Sequence, residues 1–246
     1  METTAIIFLV GTFSGWMVNY FSDTLPLYRH LGKPGCPYCQ EQMTWFDYLL
    51  FKACASCHRF HIIRRIIVYL IYWVATWYFW FEPARRLGFW IGAIVLLYLG
   101  IVFVIDLEHR LVLHVVSLAG GVLALGIGSW LHGLGDTILG GALGFACMFS
   151  LYWLGEKYTQ WIARKRGMPL DEVALGFGDV NLSGILGLFV GYKVVPAAIL
   201  ITILTGGLVS LAYIVILSLQ KKYQPHTAIP YAPFIILSLF FIFYIL

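Results

Sequence analysis

Long apolar runs alternate with short polar connections along the chain, and the run lengths predict membrane-spanning helices. A helix needs about 20 mostly apolar residues to cross the hydrocarbon core of a bilayer. Roughly eight runs approach this length, at about residues 4–26, 64–81, 86–105, 111–130, 137–154, 179–192, 194–217 and 229–246. The sixth run is short and glycine-rich, which favours close packing inside a bundle. The pattern predicts an all-α polytopic membrane protein with about eight transmembrane helices.

Two stretches, 27–63 and 155–178, are too polar to cross a membrane. The first holds four cysteines, and the beginning of the second predicts a separate interfacial helix that Met168-Pro169 would end. The predicted domains are therefore a first transmembrane helix over 1–26, a cytoplasmic tetracysteine zinc-binding domain over 27–63, and a transmembrane core over 64–246.

Composition supports a membrane protein and excludes a soluble domain. Hydrophobic residues make up 61% of the chain and charged residues only 11%, and the mean hydropathy is +0.84. The lipid bilayer is therefore an expected partner, and the small net charge of +4 indicates topology rather than nucleic-acid binding. The first apolar run lacks a basic region before it and a small-residue cleavage site, so we expect a retained helix.

The distribution of basic residues predicts the orientation. With eight spans and the amino terminus outside, only Arg85, Arg86 and Lys193 of the 16 Lys and Arg residues fall outside the inner loops or their boundaries. Basic residues accumulate on the cytoplasmic side of a membrane protein. The expected location is thus the cytoplasmic membrane, with the cysteine-bearing segment on the inner side.

Two aspartates lie at ends of predicted spans. Asp106 ends the third span and Asp179 begins the sixth, so by parity both lie at the cytoplasmic face. Two carboxyl groups held close share one proton, and such a pair can activate a water while polarising a peptide carbonyl. Gly176 and Gly178 would let a substrate approach Asp179 closely, because glycine has no side chain.

Each aspartate also has a structural interpretation. Asp179 would cap the sixth helix, and Asp106 would pair with Arg110 across one helical turn. Glu108 points away from Asp106, as residues two apart on a helix do. His114, near the start of the fourth span, is a candidate neighbour of the pair or an interface residue.

Four cysteines follow a metal-binding spacing, C-x2-C-x14-C-x2-C, at Cys36, Cys39, Cys54 and Cys57. Two such knuckles bring four thiolates around one tetrahedral ion, typically Zn²⁺ in a structural role. Disulfides or a redox motif are the alternative, but cytosolic thiols stay reduced. His58 and His61 are expected at the surface, and Cys147 as a small buried residue.

The sequence resembles the prepilin peptidase family, the type IV leader peptidases, which are GxGD membrane aspartyl proteases. The matching segments are Gly11-Thr12-Phe13 with Asn19, both Cys-x-x-Cys units, Ile105-Asp106-Leu107-Glu108, Leu175-Gly176-Phe177-Gly178-Asp179, and Ile229-Pro230-Tyr231-Ala232-Pro233-Phe234. A lone GxGD is a weak signal, whereas five ordered matches in one polytopic chain are strong.

The resemblance implies that Asp106 and Asp179 are the catalytic pair. It implies that the substrates are precursors of type IV pilins or pseudopilins, cleaved after a glycine between a basic leader and a hydrophobic helix. We hypothesise that acidic residues attract the leader, with Asp171, Glu172, Glu41 and Asp47 as candidates. The resemblance also allows N-methylation of the new amino terminus by S-adenosylmethionine, for which the sequence has no glycine-rich fingerprint.

The chain departs from the family pattern at two places. The first aspartate motif commonly continues to Leu-Pro-Asp, whereas Leu113 and His114 occupy its last two positions here. A lysine commonly follows the second aspartate by two residues, where this chain has Asn181. Both carboxylates remain, so the departures favour an altered substrate range or a weakened enzyme.

Two rival functions stay open. A presenilin-type protease shares the GxGD element but usually pairs it with Tyr-Asp, whereas Ile105 precedes Asp106 here. A non-catalytic assembly or transport protein with a zinc-stabilised loop would use the aspartates as caps or ion sites.

Overall fold

The computed structural model describes residues 2–36, 38–58, 62–84, 86–166, 176–220 and 231–245. The chain folds into two compact units, Met1–Leu113 and His114–Leu246. Helices form both units: α1 (Glu2–Tyr28), α2 (Trp45–Leu49), α3 (Ile62–Phe81) and α4 (Gly88–His109) in the first, and α5 (His114–His132), α6 (Leu134–Arg166), α7 (Phe177–Val190), α8 (Val195–Leu219) and α9 (Ala232–Phe240) in the second. A π-helical turn over Phe241–Ile245 continues α9.

The hydropathy pattern predicted these helices correctly. Six of them are long and apolar enough to cross a membrane, namely Thr3–Tyr28, Ile62–Phe81, Gly88–His109, His114–His132, Leu134–Trp161 and Val195–Leu219. The segments Phe177–Val190 and Ala232–Ile245 are shorter apolar helices. The prediction of an all-α, multi-pass membrane protein is confirmed.

In the first unit, α1 packs against α3 at two glycines. A Cβ atom at Gly11 would lie 2.7 Å from the Thr76 hydroxyl, and one at Gly15 would lie 2.8 Å from the Tyr69 ring. Asn19, one turn further along α1, is buried and donates from its side chain to the Gly15 carbonyl at 2.9 Å. The resemblance motif in the first helix therefore has a packing role, because small residues let two helices approach closely.

In the second unit, α7 is buried along most of its length. A Cβ atom at Gly140 of α6 would collide with the Gly187 carbonyl of α7. The Ser183 hydroxyl of α7 donates to the Gly144 carbonyl of α6 at 3.2 Å. This close backbone contact confirms the prediction of a short, interior sixth apolar segment.

Two sequence expectations about α6 are wrong. The polar stretch after residue 154 does not start a separate interfacial helix but continues α6 to Arg166. The Glu, Lys, Gln, Ala and Arg residues there are good helix formers, so the helix continues as the chain becomes polar. Cys147 is exposed rather than buried, since it lies on a face of α6 that no described residue of its unit covers. Met168-Pro169 lie outside the described residues.

Candidate functional site

The four cysteines of the two Cys-x-x-Cys units lie together in the first unit. All four sulfur atoms lie within 4.8 Å of one another, with 3.6 Å between the sulfurs of Cys36 and Cys57 and 3.5 Å between those of Cys39 and Cys54. All four are free thiols. The disulfide alternative is therefore wrong in this structure.

The two knuckles repeat one local structure. The Gln40 N–H donates to the Cys36 carbonyl and the His58 N–H donates to the Cys54 carbonyl, each at 2.9 Å. Gln40 and His58 both have left-handed backbones, with φ of 61° and 55°. Each hairpin thus turns its two thiols toward the same point, and His58 is exposed, as predicted.

The thiol cluster fits a tetrahedral metal ion. Four sulfurs bound at about 2.3 Å to one Zn²⁺ would lie about 3.8 Å apart, close to the separations observed. Backbone N–H groups of Cys57 and Ser56 donate to the Cys54 sulfur and lower the pKa of that thiol to about 6. At Cys36, burial outweighs similar backbone donors and raises the pKa. The site therefore favours at least one thiolate, the form that metals bind.

Asp106 lies in the last turn of α4 and is 4% exposed. Its Oδ2 atom has no hydrogen-bond partner among the described residues. Arg110 ends the helix with a left-handed backbone and donates its N–H to the Asp106 carbonyl at 2.8 Å. No ion pair within 4.0 Å joins the side chains of Asp106 and Arg110 in the part of the chain described, so the predicted pair is reduced to a longer-range electrostatic attraction.

A buried charge cluster, which the sequence reasoning missed, joins the helices around Asp106. Asp23 of α1 is 2% exposed and forms ion pairs with Arg64 and Arg65 of α3. Asp23 also accepts a hydrogen bond from the Tyr48 hydroxyl of α2 at 2.7 Å. The Arg65 guanidinium lies 4.0 Å from the centre of the Tyr48 ring. We call Asp23, Tyr48, Arg64 and Arg65 the Asp23 cluster.

The Asp23 cluster reaches the helix end that carries Asp106. Arg64 also contacts Glu108, two residues beyond Asp106, at 3.4 Å. Glu108 thus ties the last turn of α4 to α3 and, through Arg64 and Asp23, to α1. The only sequence signal was the pair of arginines at the start of an apolar run, because their partners are distant in sequence.

Asp179 lies in the first turn of α7 and is 9% exposed. Gly176 is the N-cap residue, so the interpretation of Asp179 as the N-cap is wrong. The Asp179 N–H donates to the Gly176 carbonyl at 3.0 Å. Phe177 makes edge-to-face contacts with Phe145 and Tyr152 of α6, which fix the start of α7.

Gly176 and Tyr231 both lie near the Asp179 carboxylate. A Cβ atom at Gly176 would lie 3.4 Å from Asp179 Oδ2, so a side chain at this position would contact the carboxylate. Its φ of −74° is one that any residue adopts. Tyr231, before α9, lies close enough to interact electrostatically with Asp179. Sequence reasoning named Tyr231 as part of a motif but gave it no place at the site.

The remaining candidates are less informative. His114 is the first residue of α5 and is exposed, and Gly178 lies within the first turn of α7. Glu41 accepts a hydrogen bond from Ser56 at 2.6 Å, and Asp47 pairs with Lys52 at 3.0 Å, so both acids already have partners. His61, Asp171, Glu172, Leu175, Ile229 and Pro230 lie outside the described residues.

Sequence similarity connects both aspartates to a known protein family. The sequence model of the type IV leader peptidase family matches residues 90–211, a range that contains both Asp106 and Asp179. The chain is therefore similar to the type IV leader peptidase family over just under half of its length. The resemblance predicted from the motifs is therefore confirmed, and the helices that carry the leader peptidase signature are α4 to α8.

Curated proteins similar to this chain are named prepilin leader peptidase/N-methyltransferase. The protein of that name from Stutzerimonas stutzeri is 28% identical over 219 residues, covering 82% of this chain and 68% of the relative. The Pseudomonas aeruginosa protein is 27% identical, covering 85% and 70%, and the Myxococcus xanthus protein is 26% identical, covering 83% and 61%. No solved structure matches the chain.

Proposed function

We propose that this chain is a membrane aspartyl endopeptidase that removes the leader peptide from prepilin or pseudopilin precursors, with Asp106 and Asp179 as its catalytic carboxyl groups. The observation that carries the proposal is the burial of both carboxyl groups at helix ends. Each lies at least nine-tenths buried on the terminal turn of a helix, where burying a carboxyl group without full compensation costs free energy. Similarity to the family and the names of the relatives support the same reaction.

The helix ends suggest different roles for the two carboxyl groups. Asp179 lies at the amino end of α7, where the helix dipole favours negative charge, and Asp106 lies at the carboxyl end of α4, where it disfavours negative charge. Asp179 is therefore suited to take a proton from the attacking water. Asp106 is suited to hold the shared proton against the peptide carbonyl oxygen and to release it as the peptide nitrogen leaves.

The hydrolysis balances with these two groups alone. Water adds its oxygen to the carbonyl carbon and gives one proton to Asp179. The carbon–nitrogen bond then breaks, the nitrogen takes up a proton, and the products are a carboxylic acid and a free amine. The Oδ2 atom of Asp106, which has no hydrogen-bond partner among the described residues, is available for these transfers.

The proposed location of the reaction is the cytoplasmic face of the cytoplasmic membrane. The excess of Lys and Arg in the inner loops supports this sidedness. A precursor would place its hydrophobic helix among the membrane helices and keep its polar leader outside the hydrocarbon.

The proposed metal is Zn²⁺ bound by Cys36, Cys39, Cys54 and Cys57. Four sulfur ligands complete a tetrahedral site and leave no position for a water. The ion would therefore stabilise the segment between the knuckles and take no part in hydrolysis.

N-methylation of the product by S-adenosylmethionine is the second activity in the proposal. It rests on the names of the relatives, and no residue of this chain is assigned to the methyl donor. The presence or absence of methylation leaves the peptidase proposal unchanged.

A cleavage assay tests the proposal. Purified protein in nanodiscs is mixed with a prepilin-like precursor, and the product mass is followed with and without S-adenosylmethionine. We expect cleavage at the junction between leader and hydrophobic helix, and methylation would appear as an added methyl mass. Cleavage inside the hydrophobic helix would favour a presenilin-type protease. Failure of a folded, metal-loaded protein to cut any precursor would favour a non-catalytic assembly or transport protein.

A further inference from the structure

Helix α2 and its carboxyl-terminal cap residue present a largely exposed apolar face. Trp45, Phe46, Leu49 and Leu50 are 40%, 78%, 49% and 63% exposed. Positions 45 and 49, and positions 46 and 50, are one helical turn apart, so the four side chains share one face. Tyr48 points the other way and is buried in the Asp23 cluster. An exposed face of four large apolar side chains on one short element marks an interaction surface.

The Asp23 cluster sets a reference level along the helices. Asp23 of α1, Arg64 of α3 and Glu108 of α4 meet through ion pairs. Charged groups of three apolar helices therefore lie at one height, which we take as the polar boundary of the unit, because charges concentrate there rather than in hydrocarbon.

The two ends of the α2 segment contact the helices on the apolar side of that boundary. Trp45 packs against Tyr20 and Trp16 of α1, with ring centres 5.1 and 6.3 Å apart. Trp16 precedes Asp23 by seven residues, about 10 Å along a helix. Phe51 contacts Tyr69 of α3 at 5.8 Å, and Tyr69 lies about 6 Å beyond Arg65 by the same helical rise.

The metal-binding knuckles contact α1 on the opposite side of the boundary. The Tyr28 hydroxyl, at the end of α1, donates to the Gln40 carbonyl at 2.6 Å. Tyr28 follows Asp23 by five residues, about 7 Å further along the helix. The loop between the knuckles therefore turns back toward the apolar helix surfaces, and its tip is α2.

We propose that α2 inserts into the bilayer interface, with Trp45, Phe46, Leu49 and Leu50 in contact with lipid. Amphipathic elements at an interface bury their apolar side about 5–10 Å into the boundary between headgroups and acyl chains, which matches the offsets from the Asp23 cluster. The exposed face also continues onto an exposed part of α1, since Trp45 contacts Trp16 and Trp16 contacts Phe13, which is 57% exposed.

Photocrosslinking tests the insertion. A benzophenone amino acid replaces Phe46 in the full chain, reconstituted in phosphatidylethanolamine/phosphatidylglycerol nanodiscs, and adducts are identified by mass spectrometry. Tyr38 is the matched control, because it is also an exposed aromatic residue, at 49%, and lies in a knuckle. We expect at least several-fold more lipid adduct at position 46 than at position 38, with the metal content of both proteins unchanged.

A second readout does not depend on crosslinking chemistry. A trifluoromethyl-phenylalanine at position 46 is expected to relax faster with dissolved oxygen, which partitions into lipid, than with a water-soluble gadolinium chelate, and position 38 is expected to show the reverse. Equal lipid adducts at the two positions would overturn the proposal. So would adducts at position 46 that join two copies of the chain, or a fluorine signal there that responds mainly to the chelate.

Discussion

Asp106 and Asp179 are two buried carboxyl groups held at opposite ends of their helices. Asp106 sits where α4 ends at the left-handed residue Arg110, and Asp179 sits where α7 begins under Gly176. The first is supported by long side chains, through the ion pair of Glu108 with Arg64. The second is supported by backbone packing between α7 and α6. In the proposed reaction, the two acids therefore come from parts of the chain that are stabilised in different ways.

The largest expected effect is the loss of either carboxyl group. Asp106→Asn and Asp179→Asn should each lower the rate of precursor cleavage by about 10²–10⁴-fold, the usual contribution of general acid–base catalysis. Cleavage rates are measured beside circular dichroism of each variant in nanodiscs. A folded variant that cleaves at the rate of the wild type would remove that aspartate from the proposed mechanism.

The two units should also differ in their dependence on metal. Cys54→Ser removes one of four clustered ligands and is expected to release the bound ion, because structural zinc sites need all their ligands. Cys147→Ser, a change at an exposed lone cysteine, is the matched control and should retain it. Metal content by elemental analysis distinguishes them, and equal content in the two variants would contradict the tetracysteine site.

The stability of the unit that carries Asp106 should depend on the Asp23 cluster. Asp23→Asn leaves Arg64 and Arg65 without their shared anion, and breaking a buried pair costs about 3–5 kcal/mol. Asp47→Asn changes an exposed residue that pairs with Lys52 and accepts a hydrogen bond from Thr44, and it should cost much less because exposed ion pairs contribute little to stability. Unfolding in a detergent titration, followed by circular dichroism, gives both free energies. A loss for Asp23→Asn no larger than that for Asp47→Asn would show that the Asp23 cluster does not support the unit.

The cleavage rate should depend on the space around the Asp179 carboxylate. Gly176→Ala places a methyl group 3.4 Å from Asp179 Oδ2, an ordinary contact that fits without strain. We expect unchanged stability and a fall in kcat of roughly tenfold, or about 1.4 kcal/mol. Gly126→Ala, where a Cβ atom meets nothing within 4 Å, is the control. If the two variants cleave equally well, the open space beside Asp179 has no catalytic use.

The smallest effect concerns the helix dipole. Asp179→Asn should lower the free energy of unfolding by about 0.3–1 kcal/mol, because it removes a favourable charge at a helix amino end. Asp106→Asn should not lower it, because it removes a charge at an unfavourable end. The same detergent titration compares them, and a larger loss for Asp106→Asn would reverse the roles proposed for the two acids.

Much of the fold could be predicted because membrane helices are specified locally. Apolar length fixed the positions of α1, α3, α4, α5 and α8 to within a few residues, since lipid requires every backbone group to be bonded within its own helix. The end of α6 was missed because hydropathy reports where a chain leaves the membrane, not where a helix stops. The exposure of Cys147 was missed for a related reason, because apolar surfaces face lipid as readily as a core.

The candidate site could be predicted only as far as its residues are close in sequence. The two Cys-x-x-Cys spacings were enough to predict that Cys36, Cys39, Cys54 and Cys57 lie together. The Asp23 cluster joins residues more than 20 positions apart, so no local pattern reveals it. The pairing of Asp106 with Asp179 stays a prediction, since the two residues belong to separately described units.

The shortness of α7 bears on how water reaches a reaction within a bilayer. Its 14 residues extend for about 21 Å, less than the roughly 30 Å of a hydrocarbon core. A helix this short falls about 9 Å below that thickness, and because α7 is buried within its unit, protein rather than lipid borders the remaining depth. In the proposed reaction, a polar gap at the end that carries Asp179 would let solvent supply the hydrolytic water.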